Sequence, residues 1–375
     1  MNKGLSTYLD LVRLSAAAIV FGGHAVLMSD CYARPLTRFC RLGVVLVPPH
    51  LPHSAVVLFF VLSGYVITYV ATERETRFRD FAVSRFSRIY SVAVPAILLT
   101  IVIDLFLMSA GHNSGIPTYQ YHQFWKYLIL SLGFGNEFWF LSESMFSDVV
   151  MWSLCYEVWY YILFASVFYP KSGMRWLAGC AIFLIIGYKL WALLPAWLLG
   201  SMVYRMQGKY VIGLWTSRAL FVSTLLIILL SFHFTGTYEI DAIADALSGG
   251  WLTLHMAGSR WFVGDTIIAL LFSANVFAAK FAQLDFGRWA APIKFAASFS
   301  FTLYVVHWPL LQLLRGYFKV GVFEAIALIL LSVVLIGAIT ERQNHRLRRL
   351  VIRLIGARWF VPVAGRADAP RTASS

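Results

Sequence analysis

Residues 53–72 read HSAVVLFFVLSGYVITYVAT, a stretch with no Asp, Glu, Lys or Arg. A helix rising about 1.5 Å per residue carries twenty such positions across a hydrocarbon core of about 30 Å. Comparable apolar runs recur at about 7–28, 90–110, 149–169, 176–192, 193–207, 216–234, 263–281, 298–317 and 321–340. The whole chain of 375 residues is 59% hydrophobic and 13% charged, about half the charge of a soluble domain, and its mean hydropathy is +0.72. That balance excludes a water-soluble globule. Ordinary amounts of Gly, Pro and Cys exclude collagen-like, disordered and disulfide-knotted chains. Short alternating strands are missing, which excludes an outer-membrane barrel. The expected fold is all-α, a polytopic membrane bundle of about ten transmembrane helices. The first run carries Asp10 and Arg13 and lacks a small-residue cleavage site, so it is expected to be retained rather than removed as a signal peptide. Residues 124–141, interrupted by Gly133, Gly135, Asn136 and Glu137, are expected to be interfacial or re-entrant.

Basic residues give the orientation. With the N-terminus inside, the inner segments hold 22 Lys and Arg and the outer segments hold 6, so both termini are expected in the cytoplasm. The net charge of +13 then follows from topology and the anionic inner leaflet, and no nucleic-acid partner is implied. The stretch from Arg342 to Arg358 is expected to form an amphipathic helix against membrane lipids, its apolar face built from Leu347, Leu350, Val351 and Leu354. No internal repeat and no separate soluble domain is visible.

Ionisable groups inside a membrane are costly and therefore candidates for function. The spans hold Asp10, Arg13, His24, Asp104, Glu157, Lys189, Asp265, His307 and Arg315. Arg13 and His24 lie eleven helical steps apart, three turns plus about 20°, so both project from one face with their Cα atoms about 16 Å apart along the axis. Such a face suits a long thin ligand with an anionic head at Arg13 and a reactive end at the imidazole; the plainer alternative is a snorkelling arginine and a histidine bonded to another helix. Glu157 falls at a depth comparable to His24 and is expected to orient that imidazole, the alternative being a structural hydrogen bond. Arg85 and Arg88, three apart on a helical start, share a face suited to a pyrophosphate, although a positive-inside flank has the same look. His50 and His53 form H-x-x-H, but Pro49 and Pro52 break the alignment and no third ligand is evident, so no metal site is expected. Cys31 and Cys40 share the first outer loop, where a disulfide is permitted. Sequence signatures of P-loop NTPases, Rossmann enzymes, nucleophile-elbow hydrolases and zincins are all missing.

Five motifs in order carry a resemblance. They are Leu9-Asp10-Leu11-Val12-Arg13 with His24 completing an Arg-x10-His pair; Phe59 to Thr68 with Ser63-Gly64 at its centre; Arg85-x-x-Arg88-Ile89-Tyr90; Trp152 to Glu157; and Phe301 to Pro309 with Tyr304 and His307. In these the chain resembles the acyltransferase-3 family of bacterial integral-membrane acyltransferases, over residues 5 to 340. It departs from the family where Leu11-Val12 replaces the frequent Gly-Leu and where Ser91 stands in place of a Pro. It looks like the stand-alone form, with an integral membrane acyltransferase domain at 1–340, a cytoplasmic basic amphipathic segment at 341–360 and a disordered tail at 361–375.

The resemblance implies a membrane-bound O-acyltransferase of the bacterial inner membrane. It would move an acyl group, most often acetyl from acetyl-CoA, to a hydroxyl of a cell-surface or lipid-linked glycan. It further implies essential roles for Arg13 and His24 and coenzyme binding by Arg85 and Arg88; beside these, Glu157 is expected in a catalytic role, Arg13 also at the coenzyme, and Ser63, Tyr304 and His307 at the substrate. His24 would act as general base or as an acyl-imidazole carrier. The acceptor's identity stays open; the outer-loop aromatics Tyr119, Tyr121, Trp125, Trp139, Tyr238 and Trp251 suit either sugar stacking or the interfacial belt. A transporter or flippase would place similar groups in the membrane, yet inverted repeats and paired broken helices are not evident; a non-enzymatic partner of a glycan assembly complex is a third alternative.

The orientation is directly testable. Cysteines introduced near Arg79 and after Arg342 should react with impermeant thiol reagents from the cytoplasmic face alone, and one near Asn113 from the outer face alone; reversed labelling would turn the topology over.

Overall fold

In the computed structural model, which describes residues 1–29, 40, 43, 46–112, 119–170, 173–233 and 236–355, the described chain is mainly helical, its helices joined by turns. Its sole strand-like pairing there is an isolated bridge between Met145 and Asp148. The helices are α1 (Lys3–Leu27), α2 (Leu51–Glu73), α3 (Phe78–Ser109), α4 (Phe124–Gly133), α5 (Trp152–Phe168), α6 (Met174–Ile186), α7 (Tyr188–Met206), α8 (Leu214–His233), α9 (Gly236–Leu247), α10 (Trp251–His255), α11 (Phe262–Ala279), α12 (Ala290–Ala297), α13 (Ser300–Leu311), α14 (Val322–Ile339) and α15 (Asn344–Ile355).

Six described helical stretches are long and apolar enough to cross a membrane: α1, α2, α3, α8, α11 and the stretch that begins with α14. A seventh forms if the pair Gly287–Ala297 and Ser300–Tyr317, bent by 47°, counts as one span. These coincide with seven of the ten expected spans. The other three fall on α5, α6 and α7. Helix α5 has 17 residues because the chain before Trp152 is spent in turns. Gly187, at φ +81°, separates a 13-residue α6 from α7, so the expected boundary at 192/193 lies instead at 187. Helix α7 dilutes its apolar run with Lys189, Pro195 and Arg205. Helix α4, ten residues long and closed by Phe134 at φ 51°, is too short to span, in line with the interfacial or re-entrant expectation. Helix α3 starts at Phe78 rather than near 90 and runs 32 residues, so Arg85 and Arg88 belong to the helix and not to a flank. Cys40 is disulfide-bonded; Cys31 and the 361–375 tail lie outside the described residues.

Helix α2 is the hub. It packs on α1, α7 and α11, and glycine lets it come close. A Cβ on Gly64 would lie 1.9 Å from the Trp197 carbonyl oxygen, and one on Gly200 would lie 1.9 Å from that of Val61. On the α1 side a Cβ on Gly23 would meet Pro52 Cγ at 2.2 Å. Close backbone approach of this kind is what holds helices together where burial from water supplies no drive. Polar ties complete the contact: the Tyr65 hydroxyl donates to Gln207 Oε1 at 2.7 Å while Gln207 Nε2 donates to the Val276 carbonyl at 2.8 Å, and Tyr8 donates to Asn275. Helix α13 contains Pro309 and widens into a π-turn at Gln312–Tyr317, the local unwinding expected where a proline removes a backbone donor. Helix α15 lies against α3.

Gly64→Ala is therefore expected to cost about 3 kcal/mol or more, the upper end for overpacking, because the obstructing atom is backbone. Gly22→Ala, which meets nothing within 4 Å, should gain about 1 kcal/mol from helix propensity. Thermal unfolding of the two variants in detergent checks the contrast.

Candidate functional site

His24 sits near the end of α1, next to the Gly23–Pro52 contact that fixes α1 against α2. Its Nδ1 lies 2.9 Å from Nε2 of His307 on α13, and His307 Nδ1 lies 2.9 Å from the carbonyl oxygen of Leu303. The two rings are nearly coplanar, at 12°, and Trp308 meets His24 edge-on with centroids 5.1 Å apart. The chain of bonds assigns the protons. A carbonyl can only accept, so His307 Nδ1 carries hydrogen; with both rings neutral, His307 Nε2 is then the lone pair that accepts from His24 Nδ1–H. His24 Nε2 is left as a lone-pair nitrogen. His24 lines a cavity of about 450 Å³ together with His53, Trp152, Trp261 and Tyr304, within the range of ligand pockets.

A second, narrower cavity of about 70 Å³ lies toward the other end of α1 and is lined by Arg13, Arg88, Glu157 and Tyr161. Tyr304 and Val56 line both cavities, so they form the wall between the arginines and the imidazole. The Tyr304 hydroxyl is fixed there, donating to the Val150 carbonyl at 3.1 Å with the Ser153 hydroxyl 2.6 Å away.

Glu157 belongs to the arginine cavity. The Trp197 indole donates to Ser63 Oγ at 3.2 Å, Ser63 donates to the Tyr161 hydroxyl at 3.1 Å, and Tyr161 donates to Glu157. The expected partnership of Glu157 with His24 is not made; His307 takes that place. Expected at the depth of His24, Glu157 lines the cavity toward the Arg13 end of α1, whereas Trp152, five residues earlier, lines the His24 cavity. Ser63 is spent in this relay and lines neither cavity, which departs from its expected contact with substrate.

The two arginines of Arg85-x-x-Arg88 part company. Arg85 pairs with Glu75 through Nη2, 3.3 and 3.2 Å from its two oxygens, with side chains 11% and 13% exposed, and faces an apolar groove between α3, α5 and α6. Arg88 faces Arg13 and Glu157. Arg13 donates to Asp10 at 3.0 Å and to the Ala297 carbonyl at 3.2 Å, while its buried Nε–H has no partner among the described residues. Glu341, one residue beyond the expected domain boundary, feels both Arg13 and Arg88 and accepts from the Thr302 N–H and hydroxyl, each at 2.9 Å. Nothing in the spacing pointed to it, because it approaches from the far end of the chain.

The remaining intramembrane groups have structural partners. Asp104 accepts the Ser147 N–H at 3.2 Å, and Arg315 donates to the Val320 carbonyl at 2.5 Å. Lys189 donates to Leu141 and Ser142 and stands 3.8 Å from Glu137. Burial pushes the Glu137 carboxyl up to about 8, against the pull of the Lys189 charge. His50 and His53 turn to different partners, the Phe232 carbonyl at 3.2 Å and Asp265 at 2.8 Å. No group of three or more potential ligands for a metal occurs among the described residues.

Residues 6–341 match the family model described as an acyltransferase domain, acyltransferase-3. No curated protein and no solved structure matches the chain.

The split between the arginines predicts different penalties. Arg85→Met leaves Glu75 charged and nearly buried, and should cost about 3 kcal/mol, most of it recovered in the Arg85→Met/Glu75→Gln double variant. Arg88 has no ion pair to break among the described residues, so Arg88→Met should cost less than Arg85→Met. Denaturation midpoints of the purified variants decide the matter.

Proposed function

The chain belongs to the acyltransferase-3 family, and we propose that it moves an acyl group, acetyl carried by coenzyme A, to a hydroxyl of a cell-surface or lipid-linked glycan. The observation that carries this reading is the bond chain from Leu303 through His307 to His24, which leaves a lone-pair nitrogen on a ring that lines a ligand-sized cavity. The Arg13 Nε–H without a partner, and Arg88 without an ion pair among the described residues, fit an anionic group. These two side chains would hold the coenzyme's phosphates, Arg88 as a bidentate fork. Glu157, tied back by Tyr161, keeps the two guanidiniums apart and oriented. The excess of basic residues in the alternate segments supports a reading in which the Arg13 mouth opens on the cytoplasmic side of a bacterial inner membrane and the His24 cavity toward the outside.

His24 acts as general base. Its Nε2 takes the proton of the acceptor hydroxyl as the oxygen forms a bond to the thioester carbonyl carbon. The C–S bond then breaks, and the His24 imidazolium returns the proton to the departing thiolate. His307 holds the ring in the right tautomer throughout and accepts a strengthened bond from Nδ1–H when the ring is charged. The acyl carrier reaches this nitrogen past Tyr304 and Val56, and a thin pantetheine-like chain matches the expected Arg13 to His24 separation. The basic α15 helix leans on membrane lipids.

His24→Ala should lower transfer of radiolabelled acetyl from acetyl-CoA to extracted cell-surface glycan by about 10² to 10⁴-fold, with expression and insertion unchanged. His307→Ala should lower it about a hundredfold by loosening the ring. The double variant should be scarcely worse than His24→Ala, since the pair acts as a unit. Full turnover in folded His24→Ala would sink the mechanism.

A further inference from the structure

The His24 cavity has an opposite wall that the proton transfer does not use. His53, at the start of α2, lies parallel to the Trp152 indole, at 8° with centroids 5.6 Å apart, and meets Trp261 at 4.5 Å and 63°. All three side chains line the cavity shared with His24. Trp152 is held from the side of Gly258, where a Cβ would come within 2.7 Å of its ring, and the Arg260 guanidinium covers Trp261 at 3.9 Å. His53 Nε2 lies 2.8 Å from Asp265 Oδ2, the side chains being 11% and 3% exposed. A pair this deeply buried is expensive, and apolar residues of similar size would commonly pack there at no loss. The carboxylate accepts, so Nε2 carries the hydrogen, and in the neutral imidazole Nδ1 then presents a lone pair.

Resting on the acyltransferase reading, we infer that His53, Trp152 and Trp261 form the acceptor platform, taking a pyranose ring whose apolar C–H face lies on the aromatic wall and one of whose hydroxyls donates to His53 Nδ1. Asp265 is a positioning residue that fixes the His53 tautomer. The combination selects for a sugar: an acyl chain has no use for an acceptor nitrogen, and a nucleotide would need cations for its phosphates, whereas no Lys or Arg among the described residues lines the cavity. Of the outer-loop aromatics, Trp125, Trp139 and Trp251 are each at least a third exposed and none lines the His24 cavity, which suits the interfacial belt; Tyr238 stands beside Trp261, with ring centroids 6.4 Å apart.

The test uses the full chain in lipid nanodiscs with radiolabelled acetyl-CoA and glycan extracted from the surface of the source cells. It reads three quantities: the KM for glycan, the KM for acetyl-CoA, and the slow hydrolysis of acetyl-CoA without glycan. His53→Gln and Trp152→Phe should each raise the glycan KM about tenfold, equal to about 1.4 kcal/mol. The acetyl-CoA KM and the hydrolysis should stay within about twofold of wild type. Asp265→Asn, which can still accept from His53, should be milder than Asp265→Ala. An unchanged glycan KM, or hydrolysis that falls in parallel with transfer, overturns the platform while leaving the acyltransferase reading in place. Wild-type protein that hydrolyses acetyl-CoA yet labels no glycan overturns the glycan reading and the platform with it; wild-type protein that does neither overturns the acyltransferase assignment of the site.

Discussion

Two carbonyl oxygens, those of Val61 and Trp197, stand where side-chain carbons of Gly200 and Gly64 would otherwise be. Within hydrocarbon this backbone-on-backbone contact supplies the packing that burial from water would supply elsewhere. The functional geometry hangs on the helix it fixes. Helix α2 carries His53 near one end, Val56 in the wall between the cavities, and Ser63 in the relay to Glu157. Its other close contact, at Gly23 and Pro52, sets the α1 helix that bears both Arg13 and His24. The Ser63-Gly64 pair of the apolar motif thus owes its place to helix packing and to holding Tyr161, rather than to touching a ligand.

Charge is partitioned along the bundle. Guanidiniums and carboxylates meet around the narrow cavity, where Arg13, Arg88, Glu157 and Glu341 balance one another, whereas the wide cavity is lined by imidazole and indole. A like-charged pair such as Arg13 and Arg88 is tolerable in a low-dielectric setting only with acidic partners close by. Glu157 arrives from α5, and Glu341 from just beyond α14. Tyr304 separates the two environments, anchored at its hydroxyl by Val150 and Ser153.

The sequence made the helices legible wherever apolarity alone decides them, and silent wherever neighbours decide. Helices α1, α2, α8 and α11 fall where runs of apolar residues place them, and the eleven-step spacing of Arg13 and His24 survives intact because both ride one continuous helix. Gly187 breaks a run that hydropathy carries through to 192, since a positive φ ends a helix regardless of how apolar its surroundings are. Arg85 and Arg88 share a face by periodicity, yet a rotation of about 300° between them is enough to send one to Glu75 and the other to Glu157. Expected level with His24, Glu157 lines the Arg13 cavity instead. Counting residues from uncertain span ends fixes neither the level of a side chain nor which helix stands next to it, and a single sequence does not order helices in the plane of the membrane.

That limit explains why His307 rather than a carboxylate stands behind His24. Both are lone imidazoles within apolar helices, 283 positions apart in the chain, and only the packing of α1 against α13 joins them. The choice has a physical logic. A carboxylate beside His24 would have to be desolvated, at a cost of several kcal/mol, before any substrate arrived. A neutral imidazole pinned to the Leu303 carbonyl fixes the same tautomer with no second buried charge, and it borrows its anchor from the backbone of its own helix. Glu157 and Glu341 stand instead at the arginine end, where guanidiniums compensate them, and Asp265 stands beside His53, whose imidazole is within 2.8 Å. On the proposed mechanism, proton transfer at His24 would proceed between neutral groups, with charge appearing only while the acyl group is in passage.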